Sequence, residues 1–234
     1  MGIYVNPGNS SFKKAVNSKI YIDKTELIAS VNDRIGTSDC FLCVSRPRRF
    51  GKSMAADMLA AYYSRGCDSC TLFAGKRIAK ESSFKMHLNQ HSVIRLDIQR
   101  FLFDESHLDI FIDEIQDRII QELGEVYDGN FQCGPYRLPG TLEQIHAHTG
   151  DNFIFIIDEW DCVFRIAKDR IEIQKKYLDF LRGLFKGAEY VELAYMTGIL
   201  PIKKYGEHSA VNIFNEYSMI EPKDLGEYFG FTET

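Results

Sequence analysis

Long apolar stretches are missing from this chain of 234 residues: no run approaches the ~20 apolar residues that a membrane-spanning helix needs. Residues 1–11 are polar and hold no basic segment followed by an apolar one, so no secretory signal is visible. Six cysteines do not resemble a secreted disulfide framework, and a chain of this length buries enough surface to fold without disulfides. We expect a cytoplasmic protein without membrane contact.

An excess of positive charge is also missing, because the formal net charge is −5. Diffuse adhesion to nucleic acid or to an anionic membrane is therefore not expected, although a local basic patch stays open. Hydrophobic residues make up 45% and charged residues 26% of the chain, which is typical of a packed globular protein. No internal repeat or low-complexity segment divides it, so we expect one domain over residues 1–234.

Two Cys-x-x-Cys pairs raise the question of a zinc site. Cys40 and Cys43 border a short apolar run, and residues three apart on a strand point to opposite faces, so they cannot share one ion. Cys67 and Cys70 lie in a predicted loop and can meet, but ordinary free thiols are the favoured interpretation. The six histidines show no ligand spacing such as HExxH and are expected at the surface.

Strands and helices alternate along the chain, which is typical of an α/β fold with a mainly parallel sheet. The expected strands are 41–45, 93–98, 153–157, 191–196 and 217–220. The expected helices are 10–16, 27–31, 53–63, 108–123, a short helix capped by Thr141, and 171–185. The run 153–157 is entirely apolar, as expected of a central strand buried on both faces. In helix 53–63 the spacing puts Met54 on the buried side.

The basic loop, residues 45–53 (SRPRRFGKS), joins a predicted strand to a predicted helix. Backbone N–H groups at such a junction can cradle a phosphate, with Lys52 on the terminal phosphates and the Ser53 hydroxyl on magnesium. Arg46 replaces the first glycine of the usual spacing G-x-x-x-x-G-K-[ST], and glycine allows backbone angles that arginine resists. The alternative is a basic loop with a helix cap and solvated arginines. The residues predicted to bind the nucleotide are Arg46, Pro47, Arg48, Arg49, Phe50, Gly51, Lys52, Ser53 and Met54.

Acidic and polar residues follow two other predicted strands. Asp158 and Glu159 end the apolar run 153–157, where they can hold magnesium and polarise a water as general base, respectively. Thr197-Gly198 follows the fourth strand and would sit between the two motifs near the terminal phosphate. Taken alone, the acids can be surface groups and Thr197-Gly198 an ordinary turn. Taken together, the order predicts a three-layer αβα P-loop NTPase of the division with an additional strand between its motifs.

These residues resemble those of bacterial AAA-ATPase-like proteins, whose N-terminal P-loop domain usually precedes a PD-(D/E)XK-type nuclease domain. The matching stretches are 21–28, 45–53, 156–161, 197–198 and 230–232. An arginine in place of the first glycine is itself usual in that family. The resemblance implies ATP and Mg²⁺ as ligands, a role for Asp161 near the site, and a segment 21–25 that borders the adenine. For Asp23 within that segment, a helix cap is the alternative.

The resemblance also implies segments that this chain does not contain. Thr232 is placed as the cap of a further helix, and the chain stops where the helical lid of the family would begin. We expect the lid and a C-terminal nuclease-like domain to be absent, so that only the ATPase core is present. A homo-oligomer stays open, as does the source of an arginine finger.

Three hypotheses of function follow. The first is Mg²⁺-dependent ATP binding with hydrolysis, in which Lys52, Glu159 and Thr197 act in catalysis and Ser53 and Asp158 hold the metal. The second is a nucleotide-binding regulatory module with little hydrolysis that controls a fused or partner nuclease-like domain. The third is direct nucleic-acid binding, and its cations would be Arg46, Arg48, Arg49, Lys203 and Lys204.

Overall fold

The computed structural model of the protein describes residues 1–102, 105–129, 137–202 and 211–230. A single sheet lies at its centre. Its strands are β1 (Phe41–Ser45), β2 (Ser92–Asp97), β3 (Phe153–Asp158), β4 (Val191–Gly198) and β5 (Asn215–Tyr217). The five strands pair in parallel in the order β2-β3-β4-β1-β5. The predicted α/β fold is confirmed, but the last strand ends at Tyr217, where it was predicted to begin.

Helices connect the strands. They are α1 (Ser10–Val16), α2 (Glu26–Asn32), α3 (Lys52–Tyr63), α4 (Cys70–Phe73), α5 (Phe84–His87), α6 (Phe111–Val126), α7 (Arg137–Thr149), α8 (Cys162–Ile166) and α9 (Ile171–Phe185). Short 3-10 helices cover Arg77–Lys80, Ile98–Phe101, Glu105–Asp109 and Lys223–Tyr228. No helix in the described ranges is both long and apolar enough to cross a membrane. Thr141 is not a cap: it lies inside α7, where its hydroxyl donates to the Arg137 carbonyl at 2.9 Å.

The sheet separates two apolar layers, because successive side chains of a strand point to opposite faces. On β3, Phe153, Phe155 and Ile157 pack with α6, α7, α8 and α9, whereas Ile154 and Ile156 pack with α1, α2 and α3. All five side chains are buried, as predicted for a central strand. The result is the expected three-layer architecture, and it leaves the carboxyl ends of the strands at one edge for a site.

The cysteines follow the same division. Cys40 packs with the layer of α1, α2 and α3, and Cys43 packs with the opposite layer. The prediction that these two thiols face apart is therefore confirmed. Cys67 and Cys70, like the first pair, are free thiols.

The N-terminal residues cover the outer edge of β2. Val5 forms an antiparallel bridge with Ile94. The backbone N–H groups of Ile3, Tyr4 and Val5 all donate to the Glu122 carboxylate on α6, at 2.9, 2.8 and 2.7 Å. Charged hydrogen bonds of this kind are strong, so one carboxylate ties the N-terminus to the helix and closes a sheet edge.

Two histidines and a glutamate are linked by side-chain contacts at the amino-terminal ends of β2 and β4, the opposite sheet edge from the carboxyl ends of these strands. His91 Nδ1 lies 2.6 Å from Glu192 Oε1, and His87 Nδ1 lies 3.0 Å from His91 Nε2. Because the Glu192 carboxylate accepts, His91 carries a proton on Nδ1. Burial, followed by the neighbouring His91, lowers the pKa of His87, while Glu192 and Asp33 oppose that shift.

Candidate functional site

The basic loop leads from the end of β1 into the start of α3. Arg49 at φ +69° and Gly51 at φ +84° both have left-handed backbone, and Gly51 lies at the amino-terminal cap of α3. Arg46, which stands where the usual motif has glycine, is not among the residues with positive φ. The conformational objection to arginine at that position therefore disappears, because the left-handed turns of this loop lie three and five residues later.

The Arg46 side chain points away from the loop and into the protein. Its Nη1 donates to the Tyr217 carbonyl at 2.7 Å and to the Ser45 carbonyl at 3.2 Å, and its guanidinium lies 5.7 Å from the centre of the Phe229 ring. The residue is buried, and burial lowers the pKa of its guanidinium. Arg46 thus connects the basic loop with β5 and with the segment after it, and its guanidinium is occupied by those contacts.

Lys52 is the first residue of α3, and only 5% of it is exposed. Its Nζ donates to the Pro47 carbonyl at 3.0 Å, so the side chain folds back across the basic loop. Burial lowers the pKa of the ammonium, whereas the charges of Glu159, Asp158 and Asp161 act in the opposite direction. The acids of the second motif therefore lie near enough to the lysine for their charges to act on it.

The strand order explains why they meet. β4 lies between β1 and β3, pairing Thr197 with Val44 on one side and Met196 with Ile157 on the other. The Thr197 hydroxyl donates to Asp158 Oδ1, which also accepts from the Glu159 backbone N–H at 3.0 Å. Thr197 thus stands between the two motifs, where it was predicted, and holds the Asp158 carboxylate.

Gly198 follows Thr197 and allows a close approach. A Cβ atom there would lie 2.6 Å from Trp160 Nε1 and 2.7 Å from Asp161 Oδ1, which is closer than side chains tolerate. Asp161 is fully buried, and its Oδ2 accepts from the Leu200 backbone N–H at 2.9 Å. The glycine is therefore required so that the turn after β4 can pack on residues 158–161, the acidic turn.

Glu159 lies at the exit of β3 with φ +53°, a left-handed conformation that is rare for a residue with a side chain. Its Oε2 is ion-paired with Arg165 Nη2 on α8. Arg165 Nε also lies 3.3 Å from Asp161 Oδ2, at ion-pair distance but without hydrogen-bond alignment. The sequence analysis missed Arg165, because the only local signal was the i,i+4 spacing from Asp161 on a helix that was not predicted.

A second group missed from the sequence borders Asp158. Asp97 at the end of β2 is the register partner of Asp158, and Asp57 on α3 is ion-paired with Arg95. Burial and then the charge of Asp158 raise the pKa of Asp97. Burial also raises the pKa of Asp57, and this effect outweighs the opposing charge of Arg95. No spacing motif connects these residues, since they come from three different elements.

An apolar cavity of about 210 Å³ lies beside the basic loop. Its walls come from the segment before α2, the first turns of α3 and the segment that ends at Gly230. They include Phe12, Ile20, Tyr21, Ile22, Lys24, Leu27, Arg49, Phe50, Gly51, Met54, Ala55, Met58, Tyr228 and Gly230. Met54 was predicted to be buried, but 45% of it is exposed because it lines this opening. Ile20, which belongs to no strand here, is 81% exposed.

Asp23 lies next to this wall and has a clear local role. Its Oδ1 accepts from the Thr25 backbone N–H at 3.0 Å and hydroxyl at 2.7 Å, and its Oδ2 accepts from the Arg77 backbone N–H at 2.9 Å. These bonds lower the pKa of Asp23, although its partial burial acts to raise it. Asp23 is therefore not the cap of α2, because Thr25 stands at that position and no side chain of the described residues caps the helix. Asp23 instead holds the turn before the helix, and the segment around it borders the cavity.

The remaining predicted residues are exposed. Pro47, Arg48, Arg49 and Ser53 lie at the surface of the loop. Of the cations predicted to bind nucleic acid, Arg46 is buried, and Lys203 and Lys204 lie outside the described residues. Among the described side chains, no three His, Cys, Asp or Glu residues are grouped so as to hold a metal by themselves.

Two comparisons show which known proteins this chain is similar to. A family model described as predicted AAA-ATPase matches residues 7–206, most of the chain. A curated relative from Azotobacter chroococcum mcd 1, an uncharacterized protein in the vnfD 5' region, is 26% identical over 219 residues. The alignment covers 92% of this chain and 40% of that protein, so the chain spans well under half of the relative's length.

Proposed function

The chain belongs to the family described as predicted AAA-ATPase, and from that premise we propose that it binds Mg-ATP at the basic loop and hydrolyses it. One observation carries the proposal: Lys52, which begins α3 directly after the basic loop, is buried within the influence of the Asp158 and Glu159 charges at the end of β3. A buried cation beside acids at the carboxyl edge of the same sheet is the arrangement that phosphoryl transfer from a metal-bound nucleotide uses.

Each side chain has a role in this proposal. Lys52 exchanges its bond to the Pro47 carbonyl for one to a terminal phosphate oxygen, and the amino-terminal end of α3 adds its backbone N–H groups. Glu159 orients a water and takes its proton as the water oxygen bonds to the γ-phosphorus. The bond from that phosphorus to the bridging oxygen of ADP breaks, leaving ADP and phosphate. Thr197 keeps Asp158 in place throughout.

The oxygen donors present fit magnesium. Mg²⁺ prefers carboxylate, hydroxyl and phosphate oxygens, keeps several waters, and so needs few protein ligands. Both hydrogen bonds described for Asp158 end at Oδ1, so we assign Oδ2 to the metal or its water, together with the Ser53 hydroxyl. When bound, the ion supplies charge neutralisation to the β- and γ-phosphates.

We place the nucleotide base in the apolar cavity. Exposed large apolar side chains around one opening, here Ile20, Ile22 and Met54, favour a flat apolar ligand. Ile20→Ser changes a side chain that is 81% exposed and so leaves folding intact. It should weaken Mg-ATP binding but leave the binding of tripolyphosphate, which has no base, unchanged. An equal loss of affinity for Mg-ATP and for tripolyphosphate would contradict this placement.

Calorimetric titration with Mg-ATP and Mg-ADP tests the main proposal. Lys52→Ala should abolish binding, whereas Lys176→Ala, an exposed lysine on α9, should not change it. Glu159→Gln should spare binding and stop phosphate release, because the amide cannot accept the proton. Equal ATP affinity in the wild type and Lys52→Ala would refute the proposal.

A nucleotide-dependent regulatory module is the second candidate. The observation that favours it is the packing of residues 223–230 on the basic loop. Gly230 N–H donates to the Phe50 carbonyl at 3.3 Å, a Cβ at Gly230 would lie 2.8 Å from Phe50 Cδ1, and Phe229 covers Arg46. A change in the loop on nucleotide binding would thus reach this segment and any nuclease-like partner. Tight Mg-ATP binding without phosphate release would favour it.

A further inference from the structure

Arg165 contacts two acids of the acidic turn at once. Its Nη2 is ion-paired with Glu159 and its Nε lies 3.3 Å from Asp161 Oδ2. The Arg165 and Glu159 side chains are only 21% and 18% exposed, and Asp161 is fully buried. Exposed ion pairs contribute little to stability. A partly buried pair that a third, buried group also contacts instead fixes the orientation of its two side chains.

Further contacts anchor this group to the neighbouring strand. Asp161 Oδ2 accepts from the Leu200 backbone N–H, just after β4, and Asp161 is the N-cap residue that directly precedes α8. The Glu159 backbone N–H donates to Asp158 Oδ1, and its φ of +53° departs from the extended backbone of the strand. The main chain of Glu159 is therefore fixed by Asp158 and its carboxylate by Arg165.

The charge of Arg165 also acts on the Lys52 ammonium, so the two cations belong to the same region of the site. A guanidinium has the donors to bind a phosphate directly. Both of the acids that it contacts would then lose their partner, and Asp161 would be left as a buried carboxylate without its cation, which is costly. The contacts favour an arginine that stays with the acidic turn.

We propose that Arg165 is a positioning residue, which orients the Glu159 carboxylate toward the water that attacks the nucleotide. This inference rests on the proposed ATPase function. It assigns Arg165 no contact with the nucleotide, so its loss should lower kcat without changing the affinity for Mg-ATP.

Steady-state phosphate release and equilibrium binding test this split. Trp160 is the only tryptophan of the chain and lies inside the acidic turn, so its fluorescence reports binding. Arg165→Ala should lower kcat by about 100-fold, the effect of a small misplacement of a reacting group. The Kd for Mg-ATP should change by less than about twofold. Arg165→Lys should restore part of kcat, because a lysine can pair with one of the two acids.

Arg170→Ala is the matched control. Arg170 lies five residues after Arg165 and forms an exposed ion pair with Asp109. It should leave kcat and Kd unchanged. An Arg165→Ala protein with unchanged or faster kcat would overturn the proposal, and faster turnover would mark the contact as inhibitory. A loss of Mg-ATP affinity as large as the loss of kcat would overturn it in favour of a phosphate ligand. Arg165→Gln, which keeps most of the volume, serves if the alanine variant does not fold.

A measurement without nucleotide separates this inference from the proposed function. Urea unfolding midpoints of Arg165→Gln, Glu159→Ala and the double variant form a double-mutant cycle. Arg165→Gln should lower the midpoint more in the wild type than in the Glu159→Ala background. Additive shifts would overturn the pairing even if ATP is hydrolysed. Failure of Lys52→Ala to change ATP binding, with a coupled cycle, would instead refute the function and leave the pair standing.

Discussion

Arg46→Gly restores the glycine of the usual phosphate-loop spacing, and we expect it to destabilise this protein. The substitution removes the hydrogen bonds to the Tyr217 and Ser45 carbonyls and the contact with the Phe229 ring. A hydrogen bond from a charged donor contributes about 1.5–3 kcal/mol, and a cation over an aromatic ring about 0.5–2 kcal/mol. Glycine adds about 0.4–1 kcal/mol of chain entropy to the unfolded state.

These contributions overlap, so we expect a loss of about 3 kcal/mol in the free energy of unfolding. Urea denaturation followed by the fluorescence of buried Trp160 measures it. Arg48→Gly is the control, because Arg48 is exposed two residues away and gains the same chain entropy. It should lose only about 1 kcal/mol or less.

Equal midpoints for Arg46→Gly and Arg48→Gly would refute the reasoning, since the contacts of Arg46 would then contribute nothing. A second arm examines the backbone argument. Because φ at Arg46 is not left-handed, glycine there should not tighten Mg-ATP binding. Tighter binding by Arg46→Gly would show that the loop is strained at this position after all.

Four further substitutions test other contacts. Arg49→Gly should stabilise the protein by about 0.5–1 kcal/mol, because φ is +69° at Arg49. Gly198→Ala should cost about 1–3 kcal/mol and shift Trp160 fluorescence, since the new Cβ collides with that indole. Glu122→Ala should cost about 2 kcal/mol through its three lost backbone bonds. The pKa of His87 is lowered in the folded protein, so the unfolded chain binds more protons. The free energy of unfolding should therefore fall as the pH drops below 6.5, and this fall should be smaller in His87→Gln.

The substitutions at Gly198, Glu122 and His87 each have a matched control, read by urea denaturation. Gly183→Ala introduces a Cβ with nothing within 4 Å and should not destabilise, so equal losses for Gly183 and Gly198 would contradict the steric argument. Glu125 is exposed on the same helix as Glu122, and its alanine variant should be neutral. His148→Gln, at an exposed position, should keep the pH dependence of the wild type.

Local patterns in the sequence were sufficient to predict much of this fold. Strand β1 and helix α9 have the predicted bounds. The strand is a short apolar run and the helix has an amphipathic repeat, and each pattern is contained in the residues of its own element. The apolar run of β3 predicted a central buried strand for the same reason. The basic loop and the acidic pair were also recognisable, because their side chains must follow strand ends at short, fixed spacing.

Contacts between distant segments were decided only by tertiary structure. The position of β4 between β1 and β3 brings Thr197 to Asp158, and packing after β5 turns Arg46 away from the loop. The pairing of Arg165 with Glu159 depends on the direction of a short helix that has no strong period of its own. Burial, charge neighbours and strand order are properties of the packed chain. A linear pattern of side chains carries local periodicity but does not specify which distant residues become neighbours.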